Sequence, residues 1–149
     1  MMDRLGEELN RELRRGKELC FLMVDLDKFK QYNDSFGHIA GDIVLRTVAG
    51  MLSEHFNRPG DLVCRYGGEE FCVLLPDYTK AMAVETANEL RKKIQAREII
   101  LRRQKTHVTV SIGVASFPKD APIKDELIHK ADEALYKAKE GGRNKVCSA

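Results

Sequence analysis

The chain has 149 residues, enough for one domain with its own core and no need of disulfide or metal staples. Its 43% hydrophobic and 32% charged residues are ordinary for a soluble globular protein, and a net charge of +2 gives no basis for wholesale nucleic-acid or membrane binding. No apolar run is long enough to span a bilayer and nothing resembles a signal peptide, so a cytoplasmic domain without membrane contact of its own is expected, even if the whole protein is anchored.

Cys20, Cys64, Cys72 and Cys147 are widely spaced, and the first three lie in apolar runs. That predicts reduced thiols in a cytosolic core, not disulfides or a zinc knuckle. The doubled Met1-Met2 reads as a start added to a fragment, which predicts a piece of a longer polypeptide.

Residues 3–15 read as a helix, with Leu5, Leu9 and Leu13 on one face. Leu19 to Leu26 is a continuous apolar run ending in acid, the pattern of a buried strand that delivers Asp25 to its C-terminal edge. Gly37 to Phe56 reads as a helix broken by Arg58-Pro59-Gly60. Leu62-Val63-Cys64 and Phe71 to Leu75, joined through Gly67-Gly68, read as a hairpin closed by Pro76. Ala83, Val84, Ala87, Leu90 and Ile94 mark the next helix. Val108, Val110, Ile112 and Val114 alternate with small or polar residues, which predicts a half-buried strand. Leu127 to Ala138 carries the last helical stripe, ended by Gly141-Gly142, and Val146 starts a short edge strand. The sum is one sheet with helices packed on it, an α+β architecture.

The chemistry gathers at the hairpin tip. Gly67 and Gly68 tolerate positive φ and leave no side chain there, so a bulky ligand can approach the backbone. Adjacent Glu69 and Glu70 repel unless a cation sits with them, and hard oxygen ligands suit Mg²⁺ better than zinc; a tight hairpin with two solvated glutamates is the competing reading. Asp25-Leu26-Asp27 ends a strand that can lie beside this hairpin. Carboxylates converging from two strands form the template for two-metal phosphoryl or nucleotidyl transfer.

Lys28 and Lys30 follow where the chain turns from strand into helix, and free backbone N–H groups there make a phosphate cradle. Lys139 and Arg143 bracket Gly141-Gly142 and can reach the same phosphates. Singly, each cation also fits a solvated surface charge. Asn33, Asp34, His38 and Asp42 lie between Lys30 and the body of the long helix. A carboxylate can accept from both N1–H and N2–H₂ of guanine, which adenine does not offer. A turn or helix cap is the competing reading for Asn33 and Asp34, and a surface histidine for His38.

Together, Val24-Asp25-Leu26-Asp27-Lys28-Phe29-Lys30, Asn33-Asp34-Ser35-Phe36-Gly37-His38 with Gly41-Asp42, and Arg65-Tyr66-Gly67-Gly68-Glu69-Glu70-Phe71 resemble the signature blocks of GGDEF-domain diguanylate cyclases, here with a GGEEF sequence. So do Ser111 to Ala115, Ala131 to Lys139 and Gly142-Arg143-Asn144. The resemblance runs from about residue 3 to 146, in order, and treats 1–149 as a single catalytic domain. It implies a fold like nucleotidyl cyclases and polymerase palms: a ferredoxin-like core whose central, mostly antiparallel sheet is wrapped by helices. It implies condensation of two GTP into cyclic di-GMP with loss of two pyrophosphates, by a homodimer, with two Mg²⁺ per site and Mn²⁺ as the alternative ion.

By position, Asp25, the Leu26 carbonyl and Glu69 are metal ligands. Glu69 is also the proton acceptor, with Glu70 close to the metals. Lys30 stabilises the transition state, and Lys139 and Arg143 hold phosphates. Asn33, His38 and Asp42 contact substrate, with Asn33 and Asp42 on guanine. Gly67 and Gly68 border the substrate. Arg58-Pro59-Gly60-Asp61 matches an RxxD motif, implying that cyclic di-GMP binds at Arg58 and Asp61 and inhibits. A distal arginine on the next helix completes that pocket in some members, and Arg91 is the candidate here. The family's usual Asp-x-Leu-Thr-Gly-Leu entry block is absent, as expected for an output domain cut from an upstream sensory or receiver domain. Two other readings compete: a catalytically silent module that binds GTP or cyclic di-GMP, and a nucleic-acid polymerase palm, which the small net charge disfavours.

Overall fold

The computed structural model describes residues 2–149, so Met1 of the doubled start lies outside the described residues. In chain order the elements are α1 (Met2–Arg14), β1 (Leu19–Leu26), α2 (Phe29–Phe36), α3 (His38–His55), β2 (Leu62–Arg65), β3 (Glu70–Pro76) and α4 (Lys80–Ala96). There follow β4 (Ile99–Leu101), β5 (Gln104–Thr106), β6 (Val110–Phe117), α5 (Lys124–Glu140) and β7 (Val146–Ser148).

Apolar residues on both faces of β1 require cover on both sides. Leu19, Phe21 and Met23 pack under α1 and α5 with Leu5, Leu9, Leu127, Ala131 and Leu135. Cys20, Leu22 and Val24 pack under α2, α3 and α4 with Tyr32, Val44, Leu52, Ala87 and Leu90. The sheet order is β2-β3-β1-β6-β7, antiparallel except for the β6–β7 pair, so β1 is central. The α+β architecture and the mostly antiparallel sheet agree with the sequence reading.

Three details differ from that reading. The strand expected from Val108 starts at Val110, and all eight of its residues are buried. Its small residues make room for a helix and do not face water: a Cβ on Gly113 would overlap the Ala131 carbonyl and the Leu135 amide of α5. The β4–β5 hairpin was not anticipated. Nor was α2 separated from α3; Gly37, in the left-handed region, divides them.

None of the four cysteines is in a disulfide, and burial pushes the Cys20 and Cys72 thiols up to about 12. Cys64 and Cys147 are only half-buried, because their strands are the two sheet edges. No helix among the described residues is long and apolar enough to cross a membrane.

Asp27 fixes the C-terminal end of β1. Its carboxylate accepts from Thr109 Oγ1 at 2.7 Å, Ser111 Oγ at 2.6 Å and the Asn144 amide at 2.9 Å. Asn144 in turn accepts from Arg91 of α4, with its Oδ1 at 3.0 Å from the guanidinium. One carboxylate thus ties β1, the approach to β6 and the loop after α5. Asp27→Ala strands three donors, and hydrogen bonds to a charged group contribute about 1.5–3 kcal/mol each before solvent repays part of the loss. Urea unfolding of this variant should show stability lower by roughly 2–4 kcal/mol; an unchanged midpoint would remove Asp27 from this role.

Candidate active site

The register sets the acidic groups side by side. Asp25 stands opposite Glu70 across the β1–β3 pair, and the Leu26 amide donates to the Glu69 carbonyl at 3.2 Å. Asp25 is only 4% exposed, and one of its oxygens is paired with the Lys139 ammonium of α5. The other, Oδ1, is buried with no partner. Burial pushes the Asp25 carboxyl above its ordinary value; Lys139 opposes that, while Glu69 and Asp27 add to it. Burial likewise raises Glu70, with Asp25 adding. For Lys139 burial acts downward, but the hydrogen bond and charge of Asp25, with Glu70 and Glu69, outweigh it and raise the ammonium. Burial is the largest cause of both carboxyl shifts, and the mutual repulsion of Asp25, Glu69 and Glu70 around the one Lys139 ammonium adds to it.

A hard divalent cation fits that donor set. Among the described residues no three His, Cys, Asp or Glu side chains form a metal cage. The expected ligand set does not require one, since it combines two carboxylates with a backbone carbonyl. Asp27, which the sequence groups with the other acids, is engaged by its three donors and serves as an anchor.

The glycine tip is held open by backbone geometry. Gly67 and Gly68 are not in the left-handed region, which corrects the expected use of positive φ, and a Cβ on either would meet nothing within 4 Å. Arg65 donates to the Gly67 carbonyl at 3.2 Å and the Gly68 carbonyl at 2.6 Å, a clamp the sequence analysis missed. Its only signal was an arginine two residues before the pair.

Lys28 caps α2 in the left-handed conformation, with no side chain bonded to the helix's first amides. These amides and the exposed Lys30 are available to an anion. A cleft of about 600 Å³ opens beside them, lined by Asp27, Lys28, Thr109, Gly142, Arg143 and Asn144. Arg143 therefore enters the same neighbourhood from the loop that Asp27 holds.

Asn33, His38 and Asp42 gather at the α2–α3 joint, apart from the acidic cluster. His38 and Asp42 are exposed one turn apart on α3. Asn33 Oδ1 is buried and unpartnered, lying over Gly41, where a Cβ would collide with it. In the sequence Gly41 stands only as part of the Gly41-Asp42 block and as a glycine within a helix, which costs about 1 kcal/mol against alanine and asks for a packing reason.

Arg58 and Asp61 stand at the far end of β2. The Asp61 amide donates to the Arg58 carbonyl at 2.9 Å, and the Arg58 amide to Asp61 Oδ2 at 3.1 Å. The Arg58 guanidinium lies 4.4 Å above the centre of the Tyr78 ring. The Tyr78 hydroxyl donates to Asp61 Oδ2 at 3.4 Å, while Oδ1 is buried without a partner. Arg91, the candidate to complete this site, instead bonds Asn88 and Asn144.

A family model described as "Diguanylate cyclase, GGDEF domain" matches residues 1–145. Diguanylate cyclase A of Treponema denticola is 40% identical over 138 residues, covering 93% of this chain, which spans only 37% of that relative's length. The GGDEF domain of YfiN (TpbB) from Pseudomonas aeruginosa superposes with a TM-score of 0.93 at 36% identity, covering 99% of this chain and 94% of that one. The GGDEF domain of DgcB from Caulobacter crescentus, in complex with c-di-GMP, gives 0.88 at 33% identity, covering 98% and 86%. With the family model matched over residues 1–145 and the fold superposing over nearly the whole chain, this chain belongs to the diguanylate cyclase GGDEF-domain family.

Proposed function

We propose that this chain is the catalytic domain of a longer cytoplasmic signalling protein, a diguanylate cyclase that joins two GTP molecules into cyclic di-GMP and releases two pyrophosphates. Each half of a homodimer carries one GTP, and each 3′-hydroxyl attacks the α-phosphate held by the other half. One observation carries the reading. The buried side-chain oxygens without partners among the described residues are Asp25 Oδ1, Asn33 Oδ1 and Asp61 Oδ1. The family resemblance assigns these three residues to metal, guanine and product. An unsatisfied buried polar atom costs roughly 1–3 kcal/mol, which a ligand at each would recover.

Two Mg²⁺ ions would be held around Asp25, the Leu26 carbonyl and Glu69, with Glu70 adding negative charge; when bound they supply Lewis acidity to the attacking and leaving oxygens. The residues of the chain do the remaining work. Glu69 accepts the proton of the 3′-hydroxyl. Lys139 exchanges Asp25 for a phosphate oxygen, and Arg143 holds the polyphosphate from the loop anchored by Asp27. Lys30 and the first amides of α2 balance charge that builds on the transferring phosphorus. Asn33 and Asp42 pair with the guanine edge, with His38 beside them, and the bare Gly67-Gly68 tip lets the ribose and phosphates approach. The c-di-GMP bound to the DgcB relative supports the assignment of product.

Incubation with GTP and Mg²⁺, with products resolved by chromatography, tests the reading. Wild type should yield cyclic di-GMP. Asp25→Asn and Glu69→Gln should each abolish it while circular dichroism stays unchanged, since both remove transition-state interactions more than ground-state binding. Near-wild-type synthesis in either variant would defeat the metal assignment.

The Arg58 turn is the regulatory half of the proposal. A dinucleotide seated against Arg58 and Asp61 would bridge domains and hold half-sites apart, inhibiting without occupying the GTP site. Arg58→Ala should weaken cyclic di-GMP binding by at least about tenfold in calorimetry without GTP, and leave initial turnover intact or raised. Equal affinity in variant and wild type would reduce this stretch to a turn.

A further inference from the structure

The β4–β5 hairpin and the Ile39–Ile43 side of α3 form a surface apart from the His38 and Asp42 side proposed to meet guanine. The β4–β5 hairpin, residues 99–106, carries Arg102, Arg103 and Lys105 and no acid, in a chain whose net charge is only +2. Arg102 and Arg103 occupy the two central turn positions at φ +48° and +69°, where Asn-Gly is the favoured pair. Two arginines held in the left-handed region make a strained turn, and that strain points to a use for their charge.

Beside this tip lies a groove of about 490 Å³ between the end of α2, the first turns of α3 and β4. Phe36, Ile39, Ile43, Ile100 and Leu101 line it, with Arg102 at its rim. Ile39, Ile43 and Ile100 are 81%, 40% and 64% exposed, and they make up half of the exposed large hydrophobics among the described residues. Scattered exposed isoleucines need no explanation; three around one groove do. Lys105 is partly neutralised by Glu98 at 3.7 Å, so Arg102 and Arg103 supply the uncompensated charge.

We propose that this groove docks an acidic polypeptide segment carrying apolar anchor side chains. The basic rim selects the charge of the partner, and the isoleucine-walled trough takes its anchors. Concavity favours a polypeptide over a bilayer, because a flat surface would touch the rim and leave Phe36 and Ile43 uncovered. The floor of the groove is the last turn of α2. The Tyr32 ring stacks on Phe36 at 4.8 Å, and its hydroxyl bonds Thr106 Oγ1 at 2.8 Å, so hairpin, groove and α2 are mechanically joined.

Selection of a random phage-displayed dodecapeptide library on the whole chain tests this, with counter-selection on the double variant Ile100→Glu, Arg102→Glu. The enriched peptides should combine Asp or Glu with Leu, Ile or Phe, and a synthetic copy should bind wild type at least about tenfold tighter than the variant. Ile39→Glu, at a separate wall, should weaken the same peptide and stands in if the double variant fails to fold. GTP turnover without peptide should be unchanged in all of them. No enrichment, enrichment of basic or uncharged peptides, or equal binding to the variants would overturn the proposal. So would binding to phosphatidylserine–phosphatidylcholine vesicles in place of peptides, which would make the surface a lipid contact.

Discussion

A carboxylate sealed into the middle of a sheet needs compensation on both oxygens, and Asp25 receives it on one. Lys139 pairs with Oδ2, Oδ1 is left bare, and the neighbouring Glu69 and Glu70 add negative charge where water is scarce. In a low-dielectric site such an imbalance is far more costly than at the surface. The fold retains it because the central strand is gripped by antiparallel partners on both sides, so Asp25 cannot swing out to solvent. The unpaired Oδ1 and the acids around it are the features a bound cation would compensate.

The surrounding structure keeps the other groups in range of that imbalance. Asp27 spends its charge on Thr109, Ser111 and Asn144, and so places the Arg143 loop beside the cleft. Close approach of α5 over Gly113 brings Lys139 down onto the sheet. On the opposite layer, Gly41 gives Asn33 the space to lie across α3. Two glycines and one anchored carboxylate thus set positions for residues that come from every part of the chain.

Much of this was legible in the sequence for identifiable reasons. A continuous apolar run ending in acid has the pattern of a covered strand, and a Gly-Gly pair between apolar runs that of a sharp reversal, which together suggested the acidic meeting point. The anchoring role of Asp27 could not be read because its partners Thr109, Ser111 and Asn144 are far away in sequence. Exposure of the strand at Val110 was misread because small residues facing a helix look, in one dimension, like small residues facing water. The β4–β5 turn escaped notice because Arg102-Arg103 carries none of the usual turn residues. In each case the missing information was a long-range contact, which local pattern does not encode.

The central claim is that the bare oxygen of Asp25 and its acidic neighbours constitute a divalent-cation site from which Lys139 withdraws. Anomalous scattering from crystals grown with Mn²⁺ and a non-hydrolysable GTP analogue measures this directly. The account predicts a manganese peak within coordination distance of the Asp25 and Glu69 carboxylates and the Leu26 carbonyl, with Lys139 moved from Asp25 to a phosphate. A nucleotide-bound structure with no peak at these residues, and Lys139 still paired with Asp25, would contradict it.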